Sequence, residues 1–282
     1  MDQATGGASS DAAKADKRAK RSPLARTRRL LSTFLAVSGF VPAHATIARA
    51  AVMSASVALF YYLALAQAGN RRLAVLYALG SILCYVGFIS AVLPQNGLRH
   101  WFVKRWGEEG GYLVFEATLG FLFFHNAAAI GYVATSSPGS VLTFMPREVV
   151  LSLAAVLFFV GCVTKLWAAT TVSVDIYYWK DMFLGRQVCD FVETGPYKYL
   201  SNPMYGVGQL QAYAVAIWFD SPTGLAIALI NQCCVFLFHF AVEKPFIQRT
   251  FVRGSGPAAG HHKAPSTAQP ADGASVSHDG PG

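Results

Sequence analysis

The chain has 282 residues, 54% of them hydrophobic and only 13% charged, with a formal net charge of +8. The apolar residues come in long uninterrupted runs, the profile of a polytopic membrane protein. No basic patch belongs to a soluble fold, so the positive charge is read as topology and attraction to anionic headgroups, and nucleic acid is excluded as a partner. The five cysteines (84, 162, 189, 233, 234) lack paired spacing and mostly sit inside apolar runs, which argues against disulfides and a zinc site.

Residues 1–29 are basic and rich in Ala, Ser and Asp, and are expected to be disordered. Residues 30–45 contain the apolar run Leu30 to Val41, expected as an interfacial helix. Ala43-His44-Ala45 resembles a signal-peptidase site, with Arg28-Arg29 ahead of it. Cleavage there would leave the new terminus abutting a full span and overturn the charge pattern described below. The interfacial helix is therefore the expectation.

Residues 46–172 read as four transmembrane helices, about 46–68, 73–94, 111–134 and 148–172. Each is long enough to cross ~30 Å of hydrocarbon at ~1.5 Å per residue. Residues 173–250 form a polar loop followed by two apolar segments, about 204–219 and 222–242, joined by Asp220-Ser-Pro-Thr-Gly224. Pro222 and Gly224 suit a tight turn between antiparallel helices. The first of these segments is short, roughly 24 Å of helix, so it either tilts or packs inside the bundle. The tail 251–282, including His261-His262, has no apolar periodicity and is expected to be disordered. Only helices fit such lengths in lipid. The fold class is therefore an all-α polytopic membrane bundle of about six apolar helices, range five to seven, closed by a C-terminal helical hairpin.

Charge orients the bundle. With six spans, the N-terminal segment shares one side with Arg99, Lys104 and Arg105, then Lys180, Arg186 and Lys198, then Lys244, Arg249, Arg253 and Lys263. The other side has only Arg71, Arg72 and Arg147. The positive-inside rule puts both termini and the 173–203 loop in the cytoplasm, where soluble nucleotide-type cofactors are available.

The loop holds Asp175, Tyr177, Tyr178, Trp179, Lys180, Asp181, Arg186, Asp190 and Glu193, far more chemistry than a connector needs. Asn202 suits a helix N-cap and Pro203 the first helical position. Tyr205, Gln209 and Tyr213 fall four apart and make a polar-aromatic stripe on an otherwise apolar helix. Gly206 and Gly208 allow close approach of a backbone or a ligand. Gln232, His239 and Glu243 form a matching stripe on the last helix, and polar groups at membrane depth face a cavity or one another. The bland reading of Glu243 is an exposed carboxylate paired with Lys244, and that of His239 is a satisfied interhelical hydrogen bond. Glu116, His125 and Asn126 in the third span either line a headgroup cavity or join helices, and joining is the simpler reading. Lys165 is expected to snorkel to the cytoplasmic headgroups.

The run Gly195-Pro-Tyr-Lys-Tyr-Leu-Ser-Asn-Pro-Met-Tyr-Gly206, followed after a hairpin by Glu243-Lys-Pro-Phe246, resembles the signature of the membrane-embedded methyltransferases. That superfamily includes phospholipid N-methyltransferases and isoprenylcysteine carboxyl methyltransferases. The signature reads Gly-Pro-Tyr-Arg-x-x-Arg-His-Pro-x-Tyr-x-Gly and, after the hairpin, Glu-Glu. Asn202 in place of His, the hairpin turn and the ending at Phe246 are closer to the phosphatidylethanolamine N-methyltransferase branch. The resemblance covers about 173–250, with two departures. Lys244 replaces the second Glu, so only Glu243 carries over. The glycine pair of the preceding helix has no clean counterpart near Thr171–Tyr177.

This resemblance implies S-adenosylmethionine as methyl donor, a phospholipid substrate among membrane lipids, and no metal. It implies a donor site at Tyr197, Asn202, Pro203, Tyr205, Gly206 and Glu243. The carboxylate would hold the donor's ammonium or ribose, and the aromatics would border its cationic methyl. Backbone N–H groups near Asn202 would take its carboxylate. An ammonium has no lone pair, so an acceptor amine needs a base. Asp175 and His239 are the catalytic candidates, beside Glu243, a carboxylate from 181–193 and the headgroup's own phosphate. Three alternatives stand against a phospholipid N-methyltransferase. One is an isoprenylcysteine-type carboxyl methyltransferase, which would have His at 202. Another is a steroid-type reductase, which would carry a Glu where Gly208-Gln209 stands. The third is a lipid-binding or transport bundle that has lost activity.

Overall fold

The computed structural model describes residues 23–41, 44, 46–139, 144–186 and 194–254, with side chains described as far as Arg249. Asp190, Glu193, Cys189, Ala43 and Ala45 lie outside these residues, as do 1–22 and 255–282 of the stretches 1–29 and 251–282 expected to be disordered, whereas 23–29 and 251–254 are helical. Every regular element among the described residues is helical. In chain order these are α1 Pro23–Val37, α2 Ile47–Ala66, α3 Arg71–Val92, α4 Arg99–Ser136 and α5 Arg147–Val172. The short α6 Val174–Tyr177 and α7 Lys180–Leu184 follow, then α8 Leu210–Trp218, α9 Pro222–Phe238 and α10 Lys244–Gly254.

Local chemistry sets the helix starts. The Thr46 hydroxyl accepts from the Arg49 N–H, Asn70 Oδ1 from the Leu73 N–H, and Ser221 Oγ from the Gly224 N–H ahead of α9. Pro222 occupies the first turn of α9, where its missing N–H costs nothing. Helix α1 begins at Pro23, earlier than the interfacial helix expected from residue 30. Pro23 suits a helix start, and Leu24, Ala25, Arg26 and Arg28 are good helix formers that propagate from it. Helix α4 is two helices meeting at Gly107, whose φ of 74° breaks the regular backbone ahead of the expected span.

Among the described residues five helices are long and apolar enough to cross a bilayer: α2, α3, α4, α5 and the continuous stretch Pro222–Arg249. Their outer faces carry Leu59, Leu65, Leu83, Phe159 and Leu237, all exposed, as a lipid-facing surface requires. The expected helix over 204–219 differs. Residues 203–206 form turns, Val207–Gln209 one turn of 3-10 helix, and only the nine residues of α8 are α-helical. Asn202 and Pro203 bring this about. Asn202 Oδ1 accepts from the Tyr205 N–H (3.1 Å), and Pro203 O accepts from the Gly208 N–H (2.8 Å). The backbone is thereby diverted from an α-helical start.

This irregular segment nonetheless runs the length of the bundle. Gly195 lies against Thr171 and Trp167 near the end of α5. At the other extreme, Arg147 at the start of α5 donates to Trp218 O (2.7 Å), and Gly139 N–H donates to Asp220 O (2.8 Å). The chain therefore passes between the two ends six times, five times as a long helix and once as turns plus α8. The end that gathers α1, the 93–98 turn, 173–186, 194–203 and α10 is tied together by Arg29 to Thr170 O (3.0 Å) and Arg249 to Gln95 (3.5 Å).

Candidate active site

The Gly-Pro-Tyr turn depends on Gly195. Its φ is +61°, and a Cβ there would stand 2.6 Å from Thr171 Oγ1 and 3.2 Å from the Trp167 indole nitrogen. With no side chain, the 3-10 turn Gly195–Lys198 seats on α5 and carries Tyr197. Burial, and then the Glu243 carboxylate, push the Tyr197 hydroxyl well above the usual phenol range, so it stays a protonated donor.

Glu243 is the centre of the arrangement. It closes one π-helical turn, His239–Glu243, inserted between α9 and α10. His239 Nδ1 lies 2.7 Å from Glu243 Oε2, and the Trp179 indole N–H donates to Oε1 at 2.9 Å. A carboxylate has no proton to give, so Nδ1 carries the hydrogen, and Nε2 is the nitrogen left to give or take a proton. Tyr205 stands edge-on to the same imidazole, with ring centres 5.6 Å apart. Among the described residues no Lys or Arg lies within ion-pair distance of Glu243. Lys244, the expected partner, turns instead over the Phe240 ring at 5.6 Å. The expected interhelical partner of His239 is likewise replaced by Glu243, one turn further along the same chain.

The sequence places Trp179 in the polar loop without giving it a role at the site. It sits at φ 54°, in the left-handed region, and Ser173 at the other side of α6 has φ 79°. Two such non-glycine residues cost roughly 1–3 kcal/mol each, which is tolerated where surrounding contacts fix them. Here the indole packs on Phe238 (5.4 Å between centres) and bonds Glu243.

Tyr205 and Trp179 are shared with a cavity of about 260 Å³ between α4, α5, α8 and α9. Its polar lining includes Asn126, Lys165, Gln209, Gln211 and Asn231, and Phe158, Ile130 and Val215 make an apolar part. Two members of the expected stripe, Tyr205 and Gln209, face it, while Tyr213 works as a clasp. The Tyr213 hydroxyl donates to Gln232 Oε1, and Gln232 Nε2 donates to Tyr205 O (2.9 Å), tying the hairpin to the loop.

The remaining expected site residues fall as follows. Pro203 is buried and Asn202 half-buried, and Asn202 Oδ1 is already occupied by the Tyr205 N–H. Gly206 donates its N–H to Asn202 O (3.0 Å). The N–H groups near Asn202 expected to take a donor carboxylate are thus used inside the turn at 205, 206 and 208. These residues shape the loop that presents Tyr205. Asp175 is not brought to Glu243. It is exposed on α6 and pairs with Lys180 at 3.4 Å, because the strained turn at Ser173 faces α6 outward. Glu116 and His125 join helices, His125 between Ser56 and Tyr77.

Residues 149–254 match the model of the phospholipid methyltransferase family. The resemblance read from the motif stands: this segment is phospholipid-methyltransferase-like. Over 124 residues the chain is 28% identical to a phosphatidylethanolamine N-methyltransferase of Saccharomyces cerevisiae (strain RM11-1a), covering 44% of this chain and 14% of that protein. Over 120 residues it is 28% identical to phosphatidylethanolamine N-methyltransferase 1 of Vanderwaltozyma polyspora, covering 43% and 14%. The chain thus spans about one seventh of the length of the curated relatives it matches. No solved structure matches it. The long apolar helices and this family likeness together make it an integral membrane protein.

Proposed function

We propose that the chain is a methyltransferase of the membrane that uses S-adenosylmethionine to N-methylate phosphatidylethanolamine or its methylated derivatives, toward phosphatidylcholine. The observation that carries this reading is Glu243. It is a carboxylate inside the family-matched segment that holds the Trp179 indole N–H and the His239 ring, has no Lys or Arg partner among the described residues, and is bordered by Tyr197 and by the Tyr205 hydroxyl, which bonds to it. A carboxylate has about four acceptor positions, and these contacts do not fill them, which leaves room for a cationic or hydroxylated ligand. The residues fit the donor on that ground.

When bound, the donor supplies a methyl group whose S–C bond breaks with its electron pair left on sulfur as the acceptor nitrogen's lone pair forms the N–C bond. The residues supply position and dryness. Glu243 holds the donor's ammonium or ribose hydroxyls, and the tyrosine rings favour a cation beside them. His239 takes the acceptor's proton at Nε2, since Nδ1–H is fixed on Glu243. The basic end of the bundle faces the cytoplasm by the positive-inside rule, which puts Glu243 on the side where a soluble donor is found.

Membranes holding the chain, given radiolabelled S-adenosylmethionine, are expected to place label in mono-, di- or trimethylated phosphatidylethanolamine once the lipid extract is resolved by headgroup. Label confined to prenylcysteine carboxylates would overturn the acceptor. Absence of donor binding would overturn the enzyme and favour a lipid-binding bundle.

A further inference from the structure

Lys165 does not snorkel. It sits within α5, seven residues before the helix end at Val172 and therefore roughly 10 Å along the axis. The residue is only 7% exposed and lines the cavity. Two glycines put it there. A Cβ on Gly161 would stand 2.5 Å from the Gln211 backbone nitrogen, so α5 and α8 pack backbone to backbone one turn before Lys165. Gly208 leaves room beside the lysine stem, its own would-be Cβ lying 3.5 Å from Lys165 Cβ. The stem is clamped between α5 and the irregular loop, and the ammonium faces inward.

That ammonium has three donors and no hydrogen-bond or ion-pair partner among the described residues. It lies over the Phe123 ring, 5.0 Å from Nζ to the centroid. Burying a cation on an aromatic face alone is costly, and the cost is met when an anion binds. A second, independent vacancy lies in the same cavity. Asn126 Nδ2 donates to Asn231 Oδ1 (2.9 Å), which leaves the buried Asn126 Oδ1 without a partner. Toward the start of α5 the wall gains an apolar part, with Phe158 about two turns from Lys165. A ligand here needs an anion for Lys165, a hydrogen-bond donor for Asn126 Oδ1 and an apolar portion.

We propose that Lys165 binds the phosphodiester anion of the lipid acceptor inside the bundle and so selects phospholipids over other amines. This rests on the acceptor being a phospholipid, as read above. The two unpaired charges then divide the work. Glu243 draws the cationic donor, Lys165 draws the anionic part of the acceptor, and Tyr205 and Trp179 stand between, since they wall the cavity and touch the Glu243–His239 pair.

The test is binding without turnover, on the purified full chain in detergent, by calorimetry. Probes are dihexanoyl phosphatidylethanolamine, a dihexanoylglycerol aminoethyl ether lacking phosphate, inorganic phosphate, and S-adenosylmethionine. Lys165→Met is expected to weaken phosphatidylethanolamine binding about 10- to 100-fold, the size of a lost charge-assisted contact. Donor affinity and binding of the phosphate-free amine stay unchanged, and Lys165→Arg keeps most of the lipid affinity. Because the Met variant removes an unpaired buried charge, it should melt no lower than the wild type without lipid, which separates binding from misfolding. Equal phosphatidylethanolamine affinity in wild type and Met variant overturns the proposal. Loss of donor affinity alone overturns it too, assigning Lys165 to the donor's carboxylate. Displacement of lipid by equimolar inorganic phosphate overturns the lipid as source of the anion. In wild-type protein, equal affinity for the phosphate-bearing and phosphate-free amines is a fourth overturning result, one that needs no variant. A chain that binds phospholipid through Lys165 but transfers no methyl group would uphold this inference while refuting the enzyme.

Discussion

Glu116 and Glu243 each meet a histidine Nδ1 at 2.7 Å, yet the two sites are built for opposite ends. Glu116 is fully buried at the first half of its span. Arg49 pairs with it at 3.0 Å, His44 shares the same oxygen, and the Tyr112 hydroxyl donates to the other at 3.1 Å. Its charge is cancelled and its acceptor positions are largely filled. Glu243 has a histidine and an indole but no cation, and 17% of its side chain remains exposed. A carboxylate saturated by its own chain can only hold helices together, whereas one left short of a cation has capacity for a ligand.

The largest expected effect tests that contrast directly. Glu116→Ala strands Arg49 in the interior, and breaking such a pair costs about 3–5 kcal/mol. Its thermal midpoint should fall steeply, with donor affinity in the surviving folded fraction unchanged. Glu243→Ala should do the reverse, keeping the midpoint within a few degrees while donor binding, read by calorimetry, collapses. If both variants lose stability equally, the two carboxylates are both structural and the contrast fails.

Gly195→Ala comes next. The left-handed backbone and the approach to Thr171 put the cost at roughly 1–3 kcal/mol. Because the turn carries Tyr197, the thermal midpoint and donor affinity should fall together. A midpoint equal to that of wild type would show that α5 yields to the extra carbon. Trp179→Phe is the mildest change. It keeps the ring on Phe238 and removes only the N–H to Glu243, about 1.5–3 kcal/mol for a bond to a charged acceptor. Donor affinity should drop by roughly tenfold, with the thermal midpoint lowered by only a few degrees. An unchanged affinity would leave the indole as packing alone.

Much of the molecule was legible from the chain alone. The four spans from 46 to 172 appear within a few residues of expectation, apart from α4 starting early, because twenty apolar residues in a row have one stable answer in lipid. Spacing singled out Glu243, Tyr205 and His239 as candidates, and the fold brings the three side chains together. Asp175 was misplaced because a loop's sequence says little about which way a strained turn at Ser173 will face it. Lys165 was misread because a lone lysine in an apolar helix usually finds its way to the surface.

Composition, apolar run length and the Gly195–Gly206 motif thus determined by themselves that this is a helical membrane bundle with a polar site after α5. They are properties of consecutive residues, and the helix and the bilayer act on consecutive residues. Tertiary structure alone decided which charges go unpaired. Arg49 reaches Glu116 across sixty-seven positions of sequence, whereas Lys244 beside Glu243 turns away to Phe240. Pairing is set by distance in the folded bundle, where a partner far along the chain is near and the adjacent residue points elsewhere.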